Sequence, residues 1–312
     1  MPIYINPYTD FGFKKLFGEE ANKSLLIDFL NQLLPERHQI AHLNFRNTEI
    51  IPDTGEERKA IFDIHCIAQT GERFVVEMQK AKVKFFKDRA LFYSTFPIRE
   101  QAEKGEWNFN LKAVYFVAIL DFLYDEEEER AKFRRDVCLK DQDSEDFFDK
   151  LHFKFLQMPA FKKQEHELVT HFDKWVYFLK NLESFETIPK ILKEPVFEKA
   201  FEVAKVANYS QKQREAYEMS RLDYIGAREM VITAQEDGME KGMKEGLKKG
   251  MEKGMEKGME KGLKKGMEKG MEKRDVEIVK AFILEGSTFA FISKITGLSI
   301  EKIRKLADEP DK

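Results

Sequence analysis

Residues 111–122 read LKAVYFVAILDF, a nearly uninterrupted apolar run in a chain of 312 residues. Such a run is typical of a strand that is buried on both faces of its sheet. Residues 85–104, just before it, have a helical pattern, and Pro97 is expected to kink or divide that helix. Because a strand that follows a helical crossover usually joins its sheet in parallel, the run predicts an α/β core.

The elements before that helix complete the predicted core. Residues 21–34 have apolar residues at helical spacing and stop at Pro35. Three extended segments follow, over residues 42–51, 60–69 and 73–79. The predicted order is therefore helix, three strands, helix, strand.

Composition divides the chain into four regions. We expect the α/β core over residues 1–124, a helical region packed on it over 125–237, a spacer over 238–273 and a small helical tail over 274–312. In the second region, the segments SEDFFDKLHFKFLQ and DKWVYFLKNL place apolar residues three and four apart, which predicts helices.

Charge and cysteine content limit the class of protein. The net charge is −3, which argues against a uniformly basic surface but allows local basic patches. The two cysteines, Cys66 and Cys138, cannot form a disulfide framework and fit a reducing compartment. No signal peptide and no membrane-spanning run is recognised, so we expect a cytoplasmic protein without a membrane partner.

Two neighbouring strands carry the residues that are the best candidates for chemistry. Side chains alternate across a strand, so one face of this hairpin is apolar and is expected to face the core. That apolar set is Phe62, Ile64, Cys66 and Ala68 on the first strand and Phe74, Val76 and Met78 on the second. The opposite, polar face then carries Asp63 and His65 beside Glu77 and Gln79, and both acids are expected to face water.

The register of the hairpin decides whether these polar residues meet. A loop centred on Gly71 pairs Asp63 with Gln79 and His65 with Glu77, which keeps polar opposite polar. Asp63 and Glu77 then lie close together and repel each other unless a cation or a shared proton lies between them. Mg²⁺ prefers such oxygen ligands. The simpler alternative is an ordinary hairpin with a polar, water-facing surface.

At this point the sequence resembles a known family, the PD-(D/E)XK nuclease superfamily, and within it the Rpn group of recombination-promoting nucleases and transposases. The resemblance rests on several segments and covers nearly the whole chain. They are NPYTDFGFKKLFG, IFDIHC, RFVVEMQK, FKDRALFYST with the following QAEKGEW, DKWVYFLKNL and the later Gly-x-x-x repeats.

The resemblance implies a restriction-endonuclease-like αβββαβ core with a mixed sheet, and a Mg²⁺-dependent (or Mn²⁺-dependent) DNA endonuclease. Asp63 matches the Asp of the family motif, Glu77 matches its Glu, and Gln79 stands where Lys is usual. The implied metal ligands are Asp63, Glu77 and the backbone carbonyl of Met78, while Gln79 orients the attacking water.

Other residues are secondary candidates. Asp10 and Glu49 are further acidic candidates for the metal site, although a solvated surface role is favoured for each. His65 is expected to neighbour Glu77, and a supporting or packing role is favoured for it. Three cations at the start of the helix after the hairpin are candidates for DNA phosphate contacts, or else form a solvated helix end. These are Lys84, Lys87 and Arg89.

Residues 238–273 are nine consecutive four-residue units that begin with Gly. Four residues overshoot a helical turn by about 40°, so the Met and Leu positions wind around a helix and form no lasting apolar face. Each Gly costs about 1 kcal/mol relative to Ala. We therefore expect a marginally stable helical spacer, with self-association into a homo-oligomer as a secondary option.

The tail has the pattern of three short helices. The first covers residues 276–284, and two more surround Thr296-Gly297, with Ser287 and Ser299 as expected N-caps. This pattern resembles a helix-turn-helix whose second helix carries Lys302, Arg304 and Lys305. Either these cations contact DNA or the tail serves packing or oligomerisation.

Two classes of function follow. The first is a metal-dependent DNA endonuclease linked to recombination or mobile elements. The second is a catalytically weak nucleic-acid-binding or assembly protein that keeps the nuclease fold, which Gln79 in place of Lys favours.

Overall fold

The structure is a computed structural model, and it describes residues 2–50, 60–102, 108–124 and 132–308. The chain divides into two compact units, residues 1–233 and 234–312. The first unit contains the six-stranded sheet, and the second contains the C-terminal helices. Within the four described ranges, no helix has the length and apolar content needed to cross a lipid bilayer.

The main sheet is mixed, with strand order β1-β4-β5-β6-β8-β7. Its central pairs, β5 with β6 and β6 with β8, are parallel, and its outer pairs are antiparallel. Two further short strands, β2 and β3, pair with each other. The strands are β1 (Leu43–Phe45), β2 (Glu49–Ile50), β3 (Ala60–Ile61), β4 (Ile64–Ala68), β5 (Arg73–Gln79), β6 (Val114–Leu120), β7 (Arg134–Lys140) and β8 (Asp146–Gln157).

Helices cover both faces of this sheet. The helices are α1 (Asp10–Phe17), α2 (Lys23–Asn31), α3 (Phe86–Arg99), α4 (His171–Asn181), α5 (Pro195–Ala204), α6 (Gln211–Leu284), α7 (Phe289–Thr296) and α8 (Ile300–Ala307). One face packs against α1, α2, α4, α5 and the start of α6 in a large aromatic-rich core centred on Trp175. The other face packs against α3, whose Phe86, Ala90 and Phe96 are buried.

Strand β6 is buried on both faces, as its apolar run predicts. All seven of its residues are buried. Tyr115, Val117 and Ile119 belong to the large core, while the alternate residues, such as Phe116, belong to the core beneath α3. The expected α/β class, with β6 parallel to β5, is therefore confirmed.

The expectation of helix across residues 145–157 is wrong. This segment is β8, which pairs in parallel with β6, and residues 134–140 add β7 as an antiparallel edge strand. The sheet therefore draws strands from both sides of residue 124. The helical prediction for DKWVYFLKNL is confirmed by α4.

The hairpin between β4 and β5 has a three-residue loop, but the loop is centred on Thr70 and not on Gly71. Ile64 pairs with Val76 and Cys66 with Phe74, so the predicted pairing of Asp63 with Gln79 is shifted by two residues. Gly71 follows Thr70 with φ 98°, a conformation that favours glycine. Apolar side chains still face apolar side chains, because a shift by two residues keeps every side chain on its face.

Phe62 lies on the other side of the sheet from the one expected. The chain bends at Asp63, between β3 and β4, so Phe62 joins the core under α3 while Ile64 joins the large core. The polar face of the hairpin is therefore covered by α3 and is not open to water.

The second unit begins within α6, which contains the nine-unit repeat as helix. The Met and Leu side chains of the repeat are all exposed. At the end of the unit, Val279, Ile292 and Ile303 form a small core that joins the last turns of α6 to α7 and α8. Ser299 caps α8 as expected, but α7 is capped by Thr288 and not by Ser287.

Helix α1, which the sequence pattern did not reveal, depends on a close backbone approach at Gly12. Thr9 caps this helix by accepting a hydrogen bond from the Gly12 N–H, and the Thr9 hydroxyl donates to the Asn6 carbonyl oxygen. A Cβ atom at position 12 would lie 2.2 Å from that carbonyl oxygen. Only glycine fits here without moving the backbone.

We expect Gly12→Ala to lower the melting temperature of the first unit by several degrees, since a domain of this size loses about 2–4 °C per kcal/mol. Tryptophan fluorescence measures this unit alone, because both tryptophans lie within residues 1–233. Gly226→Ala is the matched control: it lies in α6 with open space around the added Cβ. The control should melt at the wild-type temperature or slightly above it; equal losses in both variants would contradict the argument.

Candidate active site

Asp63 and Glu77 meet at the carboxyl end of β5, where each carboxylate accepts a hydrogen bond from the backbone of the other strand. The Asp63 N–H donates to Glu77 Oε1 over 3.2 Å. The Met78 N–H donates to Asp63 Oδ2 over 2.7 Å. The register places Asp63 opposite Glu77, just before β4 begins, and the bend there turns its side chain toward the same edge.

Glu77 lies inside this arrangement rather than on its surface. Only 2% of the residue is exposed, whereas Asp63 is half-buried. The second oxygen, Glu77 Oε2, accepts a hydrogen bond of 3.1 Å from Gln79 Nε2 and lies 3.9 Å from Arg89 Nη2. The expectation that both acids face water is wrong for Glu77, because α3 covers it.

Burial changes the protonation chemistry of both acids. Burial and the negative charge of Asp63 raise the pKa of Glu77 to about 8, against the opposing effects of the Asp63 N–H, Arg89 and Gln79. Burial also raises the pKa of Asp63, which the Met78 N–H partly offsets. The pair therefore lacks enough positive charge to keep both carboxylates ionised at neutral pH without further help.

A family model described as PD-(D/E)XK nuclease family transposase matches residues 7–234, nearly three-quarters of the chain. The chain belongs to this family. No curated protein and no solved structure matches it. The family assignment confirms the resemblance seen in the sequence and implies a nuclease or transposition role acting on DNA.

Nucleases of the PD-(D/E)XK family typically use a divalent metal, and the donor set at this site fits one. Asp63 and Glu77 offer hard carboxylate oxygens, and burial and the charge of Asp63, which raise the pKa of Glu77, are effects that a bound cation would oppose. Among the described residues, no three His, Cys, Asp or Glu side chains are close enough together to bind a metal by themselves. Two carboxylates are nevertheless a common protein contribution to a Mg²⁺ site, because Mg²⁺ usually keeps several waters.

Of the secondary candidates, Asp10 and Met78 interact with Asp63. Asp10 is near enough for its charge to raise the pKa of Asp63, and it forms an ion pair of 2.9 Å with Lys14. Glu49 lies in β2 opposite Ile61 and remains a secondary candidate. The Met78 N–H binds Asp63, and a metal contact by its carbonyl stays a prediction.

His65 does not neighbour Glu77 as predicted. It pairs across the hairpin with Val75, two residues from Glu77, and it is fully buried. Its Nε2 lies 3.7 Å from Glu100 at the other end of α3, and its Nδ1 lies 3.4 Å from the Asn47 carbonyl oxygen. Burial lowers its pKa. His65 therefore supports the packing beneath α3.

The predicted cations are divided between the two units. Arg89 reaches Glu77, and Lys84 and Lys87 are exposed near the start of α3. In the second unit, Lys302 forms an ion pair of 3.2 Å with Asp275, while Arg304 and Lys305 are exposed on α8. Helices α7 and α8 meet at Gly297, with φ 73°, so the predicted pair of helices is present. Contact between α8 and DNA stays a prediction.

A polar cluster that the sequence pattern did not single out lies at the same edge of the sheet. Asp121 directly follows β6, its N–H donates to the Gln79 carbonyl oxygen, and its carboxylate accepts a 2.6 Å hydrogen bond from the Tyr224 hydroxyl. Arg228 donates to that hydroxyl over 3.1 Å. The position of Asp121 directly after the apolar run of β6 could have indicated this cluster, because ligands of open α/β sheets bind at the carboxyl ends of the strands.

The raised pKa of Glu77 predicts how stability of the metal-free protein depends on pH. An acid whose folded pKa exceeds its unfolded pKa stabilises the fold below the unfolded value, and this contribution is lost as the pH rises through the folded value. For Glu77 the loss extends from about pH 4.5 to about pH 8. The melting temperature of the wild-type protein, kept metal-free with EDTA, should therefore fall between pH 5 and pH 8.5.

Glu77→Gln should remove much of this loss, giving a melting temperature several degrees above wild type at pH 8.5 but near it at pH 5. Tryptophan fluorescence provides the measurement. Glu145→Gln, an exposed acid between β7 and β8, is the control and should follow wild type at both pH values. A parallel fall with pH in wild type and Glu77→Gln would show that Glu77 is not the group responsible.

Proposed function

We propose that this protein is a divalent-metal-dependent endonuclease that hydrolyses DNA phosphodiester bonds during recombination or transposition. The observation that carries the proposal is the meeting of Asp63 with the buried Glu77, held by reciprocal backbone hydrogen bonds. Membership of the PD-(D/E)XK nuclease family transposases supports the same chemistry.

Each residue of the site has a role in this proposal. Asp63 and Glu77 would hold Mg²⁺ or Mn²⁺, which supplies a Lewis acid that offsets the charge developing on the phosphate. Gln79 positions the attacking water, since its amide both donates and accepts hydrogen bonds. Arg89 lies 3.9 Å from Glu77 and contacts the phosphate that is cleaved or its neighbour.

Gln79 also supports the second candidate function, a DNA-binding or assembly protein with weak cleavage. Its Nε2 donates to Glu77 Oε2, so it fixes the orientation of that carboxylate without adding positive charge. A Lys at this position would supply a full charge and lower the pKa of Glu77. Without that charge, cleavage at neutral pH would be slower than with Lys at this position and would depend more strongly on pH.

The proposal predicts Mg²⁺-dependent nicking of supercoiled plasmid that EDTA abolishes. Asp63→Asn and Glu77→Gln should each lower the rate roughly 100-fold or more, since each removes a metal ligand while keeping side-chain shape. Glu145→Gln is the control and should cleave like wild type.

Agarose gels measure the nicking, and gel shift of a duplex oligonucleotide is measured beside it. Retained nicking in both acid variants would overturn the site assignment. DNA binding without nicking in wild type, with Mg²⁺ and with Mn²⁺, would favour the DNA-binding alternative instead.

Gln79→Lys should shift the acidic limb of the cleavage rate to lower pH. The added ammonium favours the ionised form of Glu77, whose pKa is about 8 in the present site. We expect the half-maximal rate to move down by about one pH unit or more. Rates measured from pH 6 to pH 9.5 test this, with Gln142→Lys, at an exposed position between β7 and β8, as the control. An unchanged profile would mean that ionisation of Glu77 does not limit cleavage.

A further inference from the structure

Helix α3 carries two exposed aromatic rings on either side, along the helix, of the arginine that reaches Glu77. Phe85, Arg89 and Phe92 are spaced by four and three residues, which places them on one face of the helix. The Arg89 N–H donates to the Phe85 carbonyl oxygen over 3.0 Å, so Phe85 belongs to the first turn. Phe85 is 64% exposed and Phe92 is 48% exposed, although both are large apolar side chains. We call these three residues the α3 stripe.

Cations surround the α3 stripe. Residues 80–92 read KAKVKFFKDRALF, with five Lys or Arg residues and one acid. Lys84 Nζ lies 5.4 Å from the centre of the Phe85 ring, and the Arg89 guanidinium lies 4.8 Å from the centre of the Tyr93 ring. The centre of the Phe92 ring lies 5.2 Å from that of Phe96, in an edge contact, and 6.3 Å from that of Tyr93, and the rest of the ring is exposed. Exposed rings among cations are a surface for a polyanion that also presents flat apolar faces.

The position of the α3 stripe connects it to the acids. Arg89, its middle residue, lies 3.9 Å from Glu77 Oε2, so one ring lies on each side of the Arg89–Glu77 contact. Seven residues separate the two rings, which corresponds to about 10 Å along a helix. This distance matches about three base steps of a stacked strand. A strand that crosses α3 at Arg89 therefore has a base near each ring.

From these observations we infer that the protein binds and cleaves DNA whose bases are unpaired next to the scissile phosphate. Phe85 and Phe92 each stack against one base, and Arg89 contacts the phosphate between them. In a duplex the base faces are covered by their neighbours, so the rings gain contacts only from a single strand, a flap or a bubble. This inference rests on the proposed endonuclease function and adds its substrate class.

Binding in EDTA tests the α3 stripe without requiring cleavage. The probes are a fluorescein-labelled single-stranded 20-mer and the same sequence as a duplex, titrated with the full chain and read by fluorescence anisotropy. Phe85→Ala and Phe92→Ala should each weaken single-strand binding about 5- to 100-fold. Duplex binding should change less than twofold.

Two sets of variants make the result specific. Phe147→Ala removes a still more exposed ring, 78% exposed, near the start of β8, which is two strands away from β5 in the sheet, and should leave both affinities unchanged. Phe85→Trp should keep single-strand binding, whereas Phe85→Leu should lose it like Ala, because Leu keeps apolar area but has no flat ring. All variants should keep the wild-type melting temperature, since the substituted side chains are exposed.

Three results would overturn the inference: unchanged single-strand affinity in both Ala variants, equal losses for single strand and duplex, or full binding by Phe85→Leu. The last result would identify an apolar docking surface instead. Absence of nicking together with the expected binding losses would reject the endonuclease function alone. Nicking that persists with no effect of the ring variants would reject the substrate class alone.

Discussion

The reciprocal pair of hydrogen bonds between Asp63 and Glu77 is the constraint on which the site depends. Each carboxylate is held by the N–H of the opposite strand, at 3.2 and 2.7 Å. These bonds hold Asp63, at the bend after β3, beside Glu77, near the end of β5. The cost is electrostatic, because burial and mutual repulsion disfavour ionisation of Glu77. A bound cation would offset this repulsion and stabilise the ionised pair. Without a cation, two buried carboxylates side by side are an unfavourable arrangement.

Much of the fold could be predicted from local patterns. The run in β6 indicated a strand buried on both faces, and all seven residues are buried. The alternation in RFVVEMQ placed Val76 and Met78 toward one core and Glu77 toward the other side. These predictions succeed because side-chain alternation is a property of the strand itself and needs no knowledge of its partners.

The predictions that failed needed information about distant parts of the chain. The water-facing expectation for Glu77 failed because α3, which follows β5, folds back over it. The predicted pairing of His65 with Glu77 is wrong because a shift of the loop centre by one residue moves every cross-strand pair by two residues. The sequence could not distinguish the two registers, since both keep apolar side chains on one face and polar side chains on the other. In β8, Leu151, Phe153 and Phe155 alternate as a strand does, but Phe148, Leu151 and Phe155 also have helical spacing. Only the pairing with β6 resolves that ambiguity.

Helix α3 links the chemistry of the acids to the surface above them. Its buried face, with Phe86, Ala90 and Ser94, packs over the sheet and excludes water from Glu77, which raises the pKa of that residue. At 100° per residue, the positions of Phe85 and Phe92 must then point away from the sheet. Arg89 lies at the border between these faces and is the residue that reaches Glu77. One orientation of α3 therefore has two consequences: the inner side of the helix buries Glu77, and its outer side exposes Phe85 and Phe92. Arg89 connects the two sides, because it belongs to the α3 stripe and also reaches the buried carboxylate.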